Sequence, residues 1–467
     1  MKKTRNHRRT VHLISLGCPK NLVDSEYLLG LLTERGCRVV EEPGQAEILL
    51  VNTCAFIRPA VEESIDHILQ LAEYKKTGPA LILGVLGCLP QRYGTELVAA
   101  LPEVDLFCGT GEVGLLPDLL EQARQGKVSK TRKIIQPGFL PDSTMPRLRS
   151  APFYRAYLKI AEGCSNACSY CLIPRLRGPL RSRPLPRLMD EAAALAEAGV
   201  KELILVAQDT TAYGRDLKDG SNLARLLRGL AGISGLEWLR IMYAYPSGLT
   251  EELIEVLAQE PKVCKYLDLP LQHVRPALLK KMRRDDSIDL LGLIKKLRQA
   301  VPGLALRTTL MVGFPGETES DFAGLLDFIS EARFEHLGVF KFSPEEGTAA
   351  AKALDQVPQR IKENRRRKLL ARQRRLAREI NRAMIGRTLP VLVEGVSPET
   401  DLLLVGRTQG QAPEIDGQVY LTKGRAAPGD LVPVLITHAH DYDLVGEIVD
   451  EGISGEKGFL DRPVGGG

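Results

Sequence analysis

The chain has 467 residues, of which 44% are hydrophobic and 26% are charged, and its formal net charge is +5. This length predicts two to four domains, and the composition is typical of a soluble globular protein. No apolar run approaches the roughly 18 residues that span a bilayer, so we expect no membrane segment. The mild charge does not by itself predict a nucleic-acid ligand.

Short apolar strands alternate with amphipathic helices over residues 11–127, the first predicted domain. Three of the strands end at Cys18, Cys54 and Cys88, a fourth lies at 104–107, and helices are predicted over 24–33, 60–74 and 93–101. This alternation predicts a parallel α/β sheet with crossover helices. Because reactive groups gather at the carboxyl ends of parallel strands, we expect the three cysteines to converge there.

A second alternation of strands and helices occupies residues 154–357, after a predicted linker at 128–153 that is rich in Pro, Ser and Arg. Its six strand candidates lie at residues 157–161, 202–207, 238–243, 266–269, 305–312 and 336–342. Six repeats are fewer than the eight of a closed barrel, so we predict an incomplete (β/α)6 barrel.

The last part of the chain changes character twice. A helix with eleven Lys or Arg is predicted over residues 358–385, and its apolar stripe favours a solvated connecting helix over a contact surface for RNA-rich partners. Five period-two strands over 386–448 predict a small, closed or nearly closed antiparallel barrel. Residues 449–467 offer little to bury and are predicted to be disordered.

Three cysteines follow the first strand of the second alternation, and they are separated by three and then two residues: Cys164, Cys168 and Cys171. This spacing lets one loop bind three irons of a four-iron four-sulfur cluster, with the fourth iron left for a chelating small molecule. A zinc site would normally have a fourth ligand nearby, and residues 151–263 contain no other Cys or His.

Polar side chains and glycines follow the later strands of the same alternation. At strand ends such groups can hold the ribose hydroxyls, amine and carboxylate of a bound nucleoside amino acid. The candidate cofactor-binding residues are Gln208, Asp209, Tyr243, Gln272, His273, Gly313 and Glu317.

The first cysteine group is less regular, since the separations of 36 and 34 residues match no short motif. Its position at three successive strand ends nonetheless indicates a second metal site. Cys108 follows a fourth strand end and could add a fourth thiolate, but a buried small hydrophobe is the commoner role of a lone cysteine. We interpret three cysteines as packing residues: Cys37, Cys108 and Cys264.

The second cysteine motif is typical of radical S-adenosylmethionine (radical SAM) enzymes. Together with Ser15-Leu-Gly-Cys-Pro-Lys-Asn, Asn52-Thr-Cys, Gly87-Cys and the terminal barrel, it resembles the methylthiotransferases over nearly the whole chain. Within that family, Cys18-Pro-Lys-Asn and Ala412-Pro-Glu-Ile-Asp-Gly resemble the branch that modifies ribosomal protein S12. The tRNA-modifying relatives typically show Cys-Gln-Met-Asn and a more basic terminal barrel, of the type called TRAM.

The resemblance implies that Cys18, Cys54 and Cys88 hold an auxiliary four-iron four-sulfur cluster, and that the later three cysteines hold the radical cluster that binds S-adenosylmethionine. It implies methylthiolation of the β-carbon of an aspartate in ribosomal protein S12, giving 3-methylthioaspartate, with sulfur from the auxiliary cluster. The implied partners are S12 on or near the small ribosomal subunit, an electron donor such as flavodoxin or ferredoxin, and a sulfide source. The implied location is the cytoplasm, where thiols stay reduced.

Two other functions compete with this one. A tRNA adenosine methylthiotransferase would share both clusters, but the predicted barrel has few aromatics and frequent acidic residues, which disfavour RNA. A ribosome-binding factor with purely structural clusters is disfavoured by sites of three cysteines, because structural metal sites tend to be fully ligated.

Overall fold

The computed structural model describes residues 9–125, 131–133, 137–150 and 152–449. The predicted disordered tail from residue 450 onward, and parts of the predicted linker, lie outside these ranges. Residue contacts divide the chain into two units, Met1–Leu376 and Ala377–Gly467. No helix of the described ranges is long and apolar enough to cross a membrane.

The first sheet of the larger unit has six parallel strands in the order β2-β1-β3-β4-β5-β6. The strands are β1 (Thr10–Ser15), β2 (Arg38–Val39), β3 (Ile48–Thr53), β4 (Ile82–Gly87), β5 (Leu106–Cys108) and β6 (Thr131–Lys133). The helices are α1 (Pro19–Glu34), α2 (Arg58–Thr77), α3 (Cys88–Tyr93), α4 (Thr95–Ala100) and α5 (Leu116–Arg124). Every residue of β3 and β4 is buried, as expected for central parallel strands covered on both faces.

One short helix of this region was not predicted. The helix predicted over residues 93–101 is α4, but α3 precedes it, and the two short helices meet at Gly94, where φ is +55°. Glycine adopts this left-handed conformation at little cost, so the chain turns there instead of continuing the helix.

The second sheet also has six parallel strands, in the order β14-β13-β12-β11-β10-β7. They are β7 (Arg155–Lys159), β10 (Glu202–Val206), β11 (Trp238–Ile241), β12 (Val263–Asp268), β13 (Ala305–Val312) and β14 (His336–Lys341). Between β7 and β10, the chain forms a separate two-stranded antiparallel sheet of β8 (Ala161–Glu162) and β9 (Arg181–Ser182). The helices are α6 (Ile173–Arg177), α7 (Leu185–Glu197), α8 (Leu223–Ala231), α9 (Glu251–Gln259), α10 (Pro276–Lys281), α11 (Leu290–Ala300) and α12 (Glu319–Ala332). Each strand pairs with its neighbour in chain order and the sheet stays open, which confirms the predicted incomplete barrel.

The predicted basic helix is α13 (Gln359–Arg382). Leu369 on its apolar stripe is fully buried, whereas Ile361, expected on the same stripe, is exposed. Arg367, Lys368 and Arg372 are exposed, so much of the charge of this helix is solvated.

The smaller unit contains a closed five-stranded barrel in the order β15-β16-β17-β19-β18. Its strands are β15 (Thr388–Ser397), β16 (Thr400–Thr408), β17 (Val419–Lys423), β18 (Leu431–Ala439) and β19 (Leu444–Ile448). Val391, Val393 and Val434 are fully buried in its interior, and the period-two pattern places alternate residues there. The predicted fold class is thus confirmed, except that β17 and β19 pair in parallel within a barrel that was predicted to be antiparallel.

Candidate active site

The first cysteine group lies at the carboxyl ends of three adjacent strands of the first sheet. Cys18 precedes α1, Cys54 follows β3, and Cys88 begins α3 directly after β4. Gly17 has φ of +90°, and a Cβ atom there would stand 2.7 Å from Cys54 Cβ and 3.0 Å from Cys54 Sγ. The turn before Cys18 therefore packs directly against Cys54, and only glycine fits at this turn.

The three thiols of this group also influence one another. Burial, with smaller contributions from nearby Cys88 and Cys18, raises the pKa of the Cys54 thiol to about 11. Burial also raises the pKa of Cys88, against the opposing effect of the Arg177 guanidinium beside it. Metal binding to such thiols would release their protons.

The second cysteine group lies in the loop between β8 and α6. The backbone N–H of Cys164 donates to the carbonyl of Gly178 at 3.0 Å, and the Cys171 Sγ accepts from the backbone N–H of Ile173 at 3.4 Å. Burial raises the pKa of Cys171 to about 12, with smaller upward contributions from Cys168 and Cys164. The three thiols predicted from the sequence motif are thus brought together.

A buried ionic network joins the two sheets between the cysteine groups. The Lys159 ammonium donates to Asp24 and, at 2.6 Å, to Glu162. The Arg177 guanidinium donates to Asp24 at 2.7 Å and to Glu162 at 3.3 Å. Burial alone would raise the pKa of Glu162, but the two cations hold it at about 2. Since Arg177 also lies beside Cys88, the network connects the first cysteine group to the strand that precedes the second.

A second connection between the groups runs through Lys20, in the first turn of α1. Its ammonium lies 3.4 Å from the centroid of the Tyr243 ring, and Tyr243 follows β11 of the second sheet. Tyr243 has a left-handed backbone with φ of 60°, a conformation that costs a non-glycine residue about 1–3 kcal/mol and often marks functional sites.

Two of the predicted cofactor-binding residues lie next to the second cysteine group. Gln208 donates to Glu162 Oε1 at 2.7 Å, while its own buried Oε1 has no hydrogen-bond partner among the described residues. Asp209 accepts from the Asn166 side chain at 2.9 Å and caps a short turn by accepting from Ala212 N–H. A cavity of about 280 Å³ opens here and is lined by Cys164, Ser165, Asn166, Leu180, Asp209, Ala212, Arg215 and Asp216.

Two other predicted cofactor-binding residues are held by the fold itself. Glu317 accepts from the Gly313 N–H and from Arg365 Nη1, the latter at 2.9 Å. A Cβ atom at Gly313, where φ is +72°, would stand 2.3 Å from Lys362 Cγ. Contacts within the chain therefore account for these two residues, and a role in cofactor binding stays a prediction.

Gln272 and His273 follow β12. Gln272 has φ of 69° and forms an isolated bridge with Leu310 of β13. His273 is 0% exposed, its Nδ1 accepts from the Arg275 N–H at 3.1 Å, and its Nε2 has no hydrogen-bond partner within the described ranges. Burial lowers the pKa of His273 to about 4, so its ring is neutral at pH 7.

The cysteines interpreted as packing residues are all buried. Cys108 is 1% exposed and belongs to the same apolar cluster as Leu28, Leu106 and Leu116. Burial raises the pKa of its thiol. These surroundings account for Cys108 without any metal.

No group of three or more His, Cys, Asp or Glu side chains in the described ranges is arranged around a single metal ion. An iron-sulfur cluster differs from such a site, because each thiolate binds a separate iron and the sulfur atoms stand further apart. Two sets of three thiols are therefore suited to clusters, and each set would leave one iron without a protein thiolate.

Family models match three regions of the chain. The model described as "Uncharacterized protein family UPF0004" matches residues 10–109, "Radical SAM superfamily" matches 158–329, and "TRAM domain" matches 385–449. The three regions correspond to the first sheet, the second sheet and the barrel.

Curated relatives match nearly the whole chain. The "Ribosomal protein uS12 methylthiotransferase RimO" of Syntrophus aciditrophicus (strain SB) is 54% identical over 94% of this chain and 98% of its own length. The protein of the same name from Geotalea uraniireducens (strain Rf4) is 52% identical over 95% of this chain and 99% of its own length. The chain belongs to the radical SAM methylthiotransferase family. Members of this family use S-adenosylmethionine and four-iron four-sulfur clusters, which confirms the predicted cofactors.

A solved structure shares the fold at low sequence identity. The radical S-adenosylmethionine methyltransferase TsrM from Kitasatospora setae, solved with cobalamin and a [4Fe-4S] cluster bound, has a TM-score of 0.53 and 16% identity. The match covers 81% of this chain and 79% of that chain. At this identity the likeness supports the architecture of the methylthiotransferase and nothing more specific.

Sequence reasoning missed the charged residues between the two cysteine groups: Lys20, Asp24, Lys159, Glu162 and Arg177. One signal was available, because charged side chains interrupt the apolar run of Tyr157-Leu-Lys-Ile-Ala-Glu162. A charge inside a central strand needs a buried partner. One partner of Lys159 is Glu162 in the same run, but the other is Asp24, 135 positions away, which the pattern does not reveal.

Proposed function

We propose that this methylthiotransferase acts on the β-carbon of an aspartate in ribosomal protein uS12 and that the product is 3-methylthioaspartate. The substrate is inferred from the names of relatives that are 51–54% identical over nearly full length. The observation that carries the proposal is the placement of two cysteine groups at the carboxyl ends of two parallel sheets, with Arg177 and Glu162 between them.

The cysteines have separate roles in this proposal. Cys18, Cys54 and Cys88 hold the auxiliary cluster, and the group of Cys164 holds the radical cluster. When bound, the clusters and S-adenosylmethionine supply a deoxyadenosyl radical, a sulfur atom and a methyl group. The radical is needed because no side-chain base removes a proton from an unactivated β-carbon near neutral pH.

The residues of the chain position the reactants and exclude water. Gln208 and Asp209 are the best supported candidates for binding S-adenosylmethionine, because they lie beside the second cysteine group and the Gln208 Oε1 has no partner among the described residues. Tyr243 is a further candidate, since it lies between the second sheet and Lys20. The remaining candidates are proposed with weaker support: Gln272, His273, Gly313 and Glu317.

The reaction needs partners in addition to its substrate. We infer an electron donor such as flavodoxin or ferredoxin, a source of sulfide, and a cytoplasmic location on or near the small ribosomal subunit. The electron donor and the sulfide source follow from the chemistry, because reductive cleavage of S-adenosylmethionine consumes an electron and each turnover consumes a sulfur atom.

The assignment of the cysteines is tested by anaerobic reconstitution with iron and sulfide. We expect a variant with Cys18, Cys54 and Cys88 changed to alanine to lose about half of its iron and to retain cleavage of S-adenosylmethionine. Cys37→Ala is the matched control, since this buried cysteine packs in the core of the first sheet, and it should keep all the iron. Unchanged iron in the triple variant would contradict the two-cluster assignment.

The substrate is tested separately by mass spectrometry. The reconstituted protein is incubated with uS12, with small ribosomal subunits and with tRNA, together with S-adenosylmethionine, sulfide and a reductant. We expect an added methylthio group on an aspartate of uS12 and no change in the tRNA nucleosides. A methylthio group on tRNA and none on uS12 would refute the proposed substrate.

A further inference from the structure

Lys20 is a buried cation at the point where the two sheets meet. It is 7% exposed, it follows Cys18 by two residues, and its ammonium lies over the ring of Tyr243. Cys18 and Tyr243 are both only partly buried, so these two neighbours of Lys20 each keep some contact with solvent.

The other buried cations of this junction differ from Lys20 in their partners. Lys159 and Arg177 each bind both Asp24 and Glu162. Within the described ranges, no carboxylate lies within 4.0 Å of the Lys20 ammonium. Removing an ammonium from water is costly, and an aromatic ring offsets only part of that cost. Lys20 is therefore a buried cation whose neighbours in the chain are the side chains of Tyr243 and Cys18 and no carboxylate of the described residues.

The proposed substrate carries the group that Lys20 lacks. An aspartate side chain ends in a carboxylate bonded directly to the β-carbon, so a cation that binds the carboxylate also fixes the position of that carbon. Lys20 lies beside Cys18 and touches Tyr243 of the second sheet, where a substrate carbon must reach both cysteine groups. Charge-assisted hydrogen bonds to a carboxylate are about twice as strong as neutral ones.

We propose that Lys20 binds the side-chain carboxylate of the substrate aspartate and thereby selects aspartate over asparagine. This inference rests on the proposed function and extends it to the group that recognises the reacting residue. Lys20 positions the β-carbon, and Tyr243 holds the ammonium in place from the side of the second sheet.

The test measures binding as well as turnover. Fluorescence anisotropy gives the affinity of the anaerobically reconstituted enzyme for a labelled uS12 peptide that carries either the modified aspartate or asparagine in its place. We expect the wild type to bind the aspartate peptide about 10- to 100-fold more tightly. Lys20→Met should bind the two peptides equally, and Lys20→Arg should keep part of the preference because it keeps the charge.

Two controls define the result. Lys76→Met removes the same charge from an exposed position on α2 and should leave the preference unchanged. Iron content and the electron paramagnetic resonance spectra of the clusters are measured in Lys20→Met as well, so that loss of a cluster is distinguished from loss of the peptide preference. If Lys20→Met does not fold, Lys20→Gln provides the neutral variant. The affinities of the wild type for the aspartate and asparagine peptides can be compared without any variant.

Several outcomes would overturn the inference. Equal binding of the two peptides by the wild type would do so, and so would an undiminished preference for aspartate in the neutral variants. Loss of iron in Lys20→Met with the preference intact would show that Lys20 supports the auxiliary cluster instead. Failure of the proposed function is distinguishable, because the wild type would then add no methylthio group to uS12.

Discussion

Replacing Gly17 by alanine tests the packing of the first cysteine group. At φ of +90° the added Cβ would stand 2.7 Å from Cys54 Cβ, closer than any ordinary contact. The left-handed backbone costs a non-glycine residue about 1–2 kcal/mol, and overpacking in a rigid site costs about 1–3 kcal/mol. We therefore expect Gly17→Ala to lower the free energy of unfolding by about 2–5 kcal/mol and to displace Cys54.

Gly36 provides the matched control. Its φ is +83°, and no heavy atom lies within 4 Å of the position that a Cβ would occupy. Gly36→Ala therefore carries the backbone cost of about 1–2 kcal/mol without the steric contact. The difference between the two variants isolates the contact with Cys54.

Urea titration of the cluster-free protein measures stability, and iron analysis after anaerobic reconstitution measures cluster binding. We expect the unfolding midpoint of Gly17→Ala to lie below that of Gly36→Ala, and only Gly17→Ala to lose iron, up to about half of the total. Equal midpoints together with full iron in both variants would refute the close approach of Gly17 to Cys54.

Three further predictions concern buried groups. Burial lowers the pKa of His273 from 6.5 to about 4, so between these pH values only the unfolded chain binds this proton. The free energy of unfolding should therefore fall by about 3 kcal/mol as the pH drops through this range. Measurements of unfolding at acid pH should lose this pH dependence in His273→Gln and keep it in the exposed control His438→Gln. Cys108→Ala should retain all the iron and lose about 1 kcal/mol of stability, whereas iron loss on reconstitution would make Cys108 a ligand. Glu162→Gln removes a carboxylate from the buried Lys159 ammonium and should lower the free energy of unfolding at pH 7 by about 3 kcal/mol, as measured by urea titration. An unchanged midpoint would mean that Asp24 alone satisfies the cation.

Much of the fold could be predicted because its signals are local. Each strand of the second sheet is an apolar run bounded by turn residues, and all six were located to within a few residues. The position of Cys18, Cys54 and Cys88 after successive strands followed from the same reasoning. Parallel pairing then placed them at one edge of the sheet.

The parts that sequence reasoning missed depend on contacts between distant residues. Arg147 lies in the predicted linker, yet its side chain is only 8% exposed and pairs with Glu26 at 2.6 Å and Glu191 at 2.7 Å, one on each side of the junction. Asp24, one of the two partners of Lys159, is likewise 135 residues away from it. No local pattern specifies which buried charges will meet, since many pairings satisfy the same hydrophobic periodicity.

The buried network of Lys159, Asp24, Glu162 and Arg177 uses no atom of either cysteine group in its ion pairs. Asp24 lies on α1, which packs beside the first sheet, whereas Lys159 lies on β7 of the second sheet, so these ion pairs hold the two sheets together. Removing any one of the four side chains would leave an uncompensated charge at this junction and would disturb both halves of the site at once.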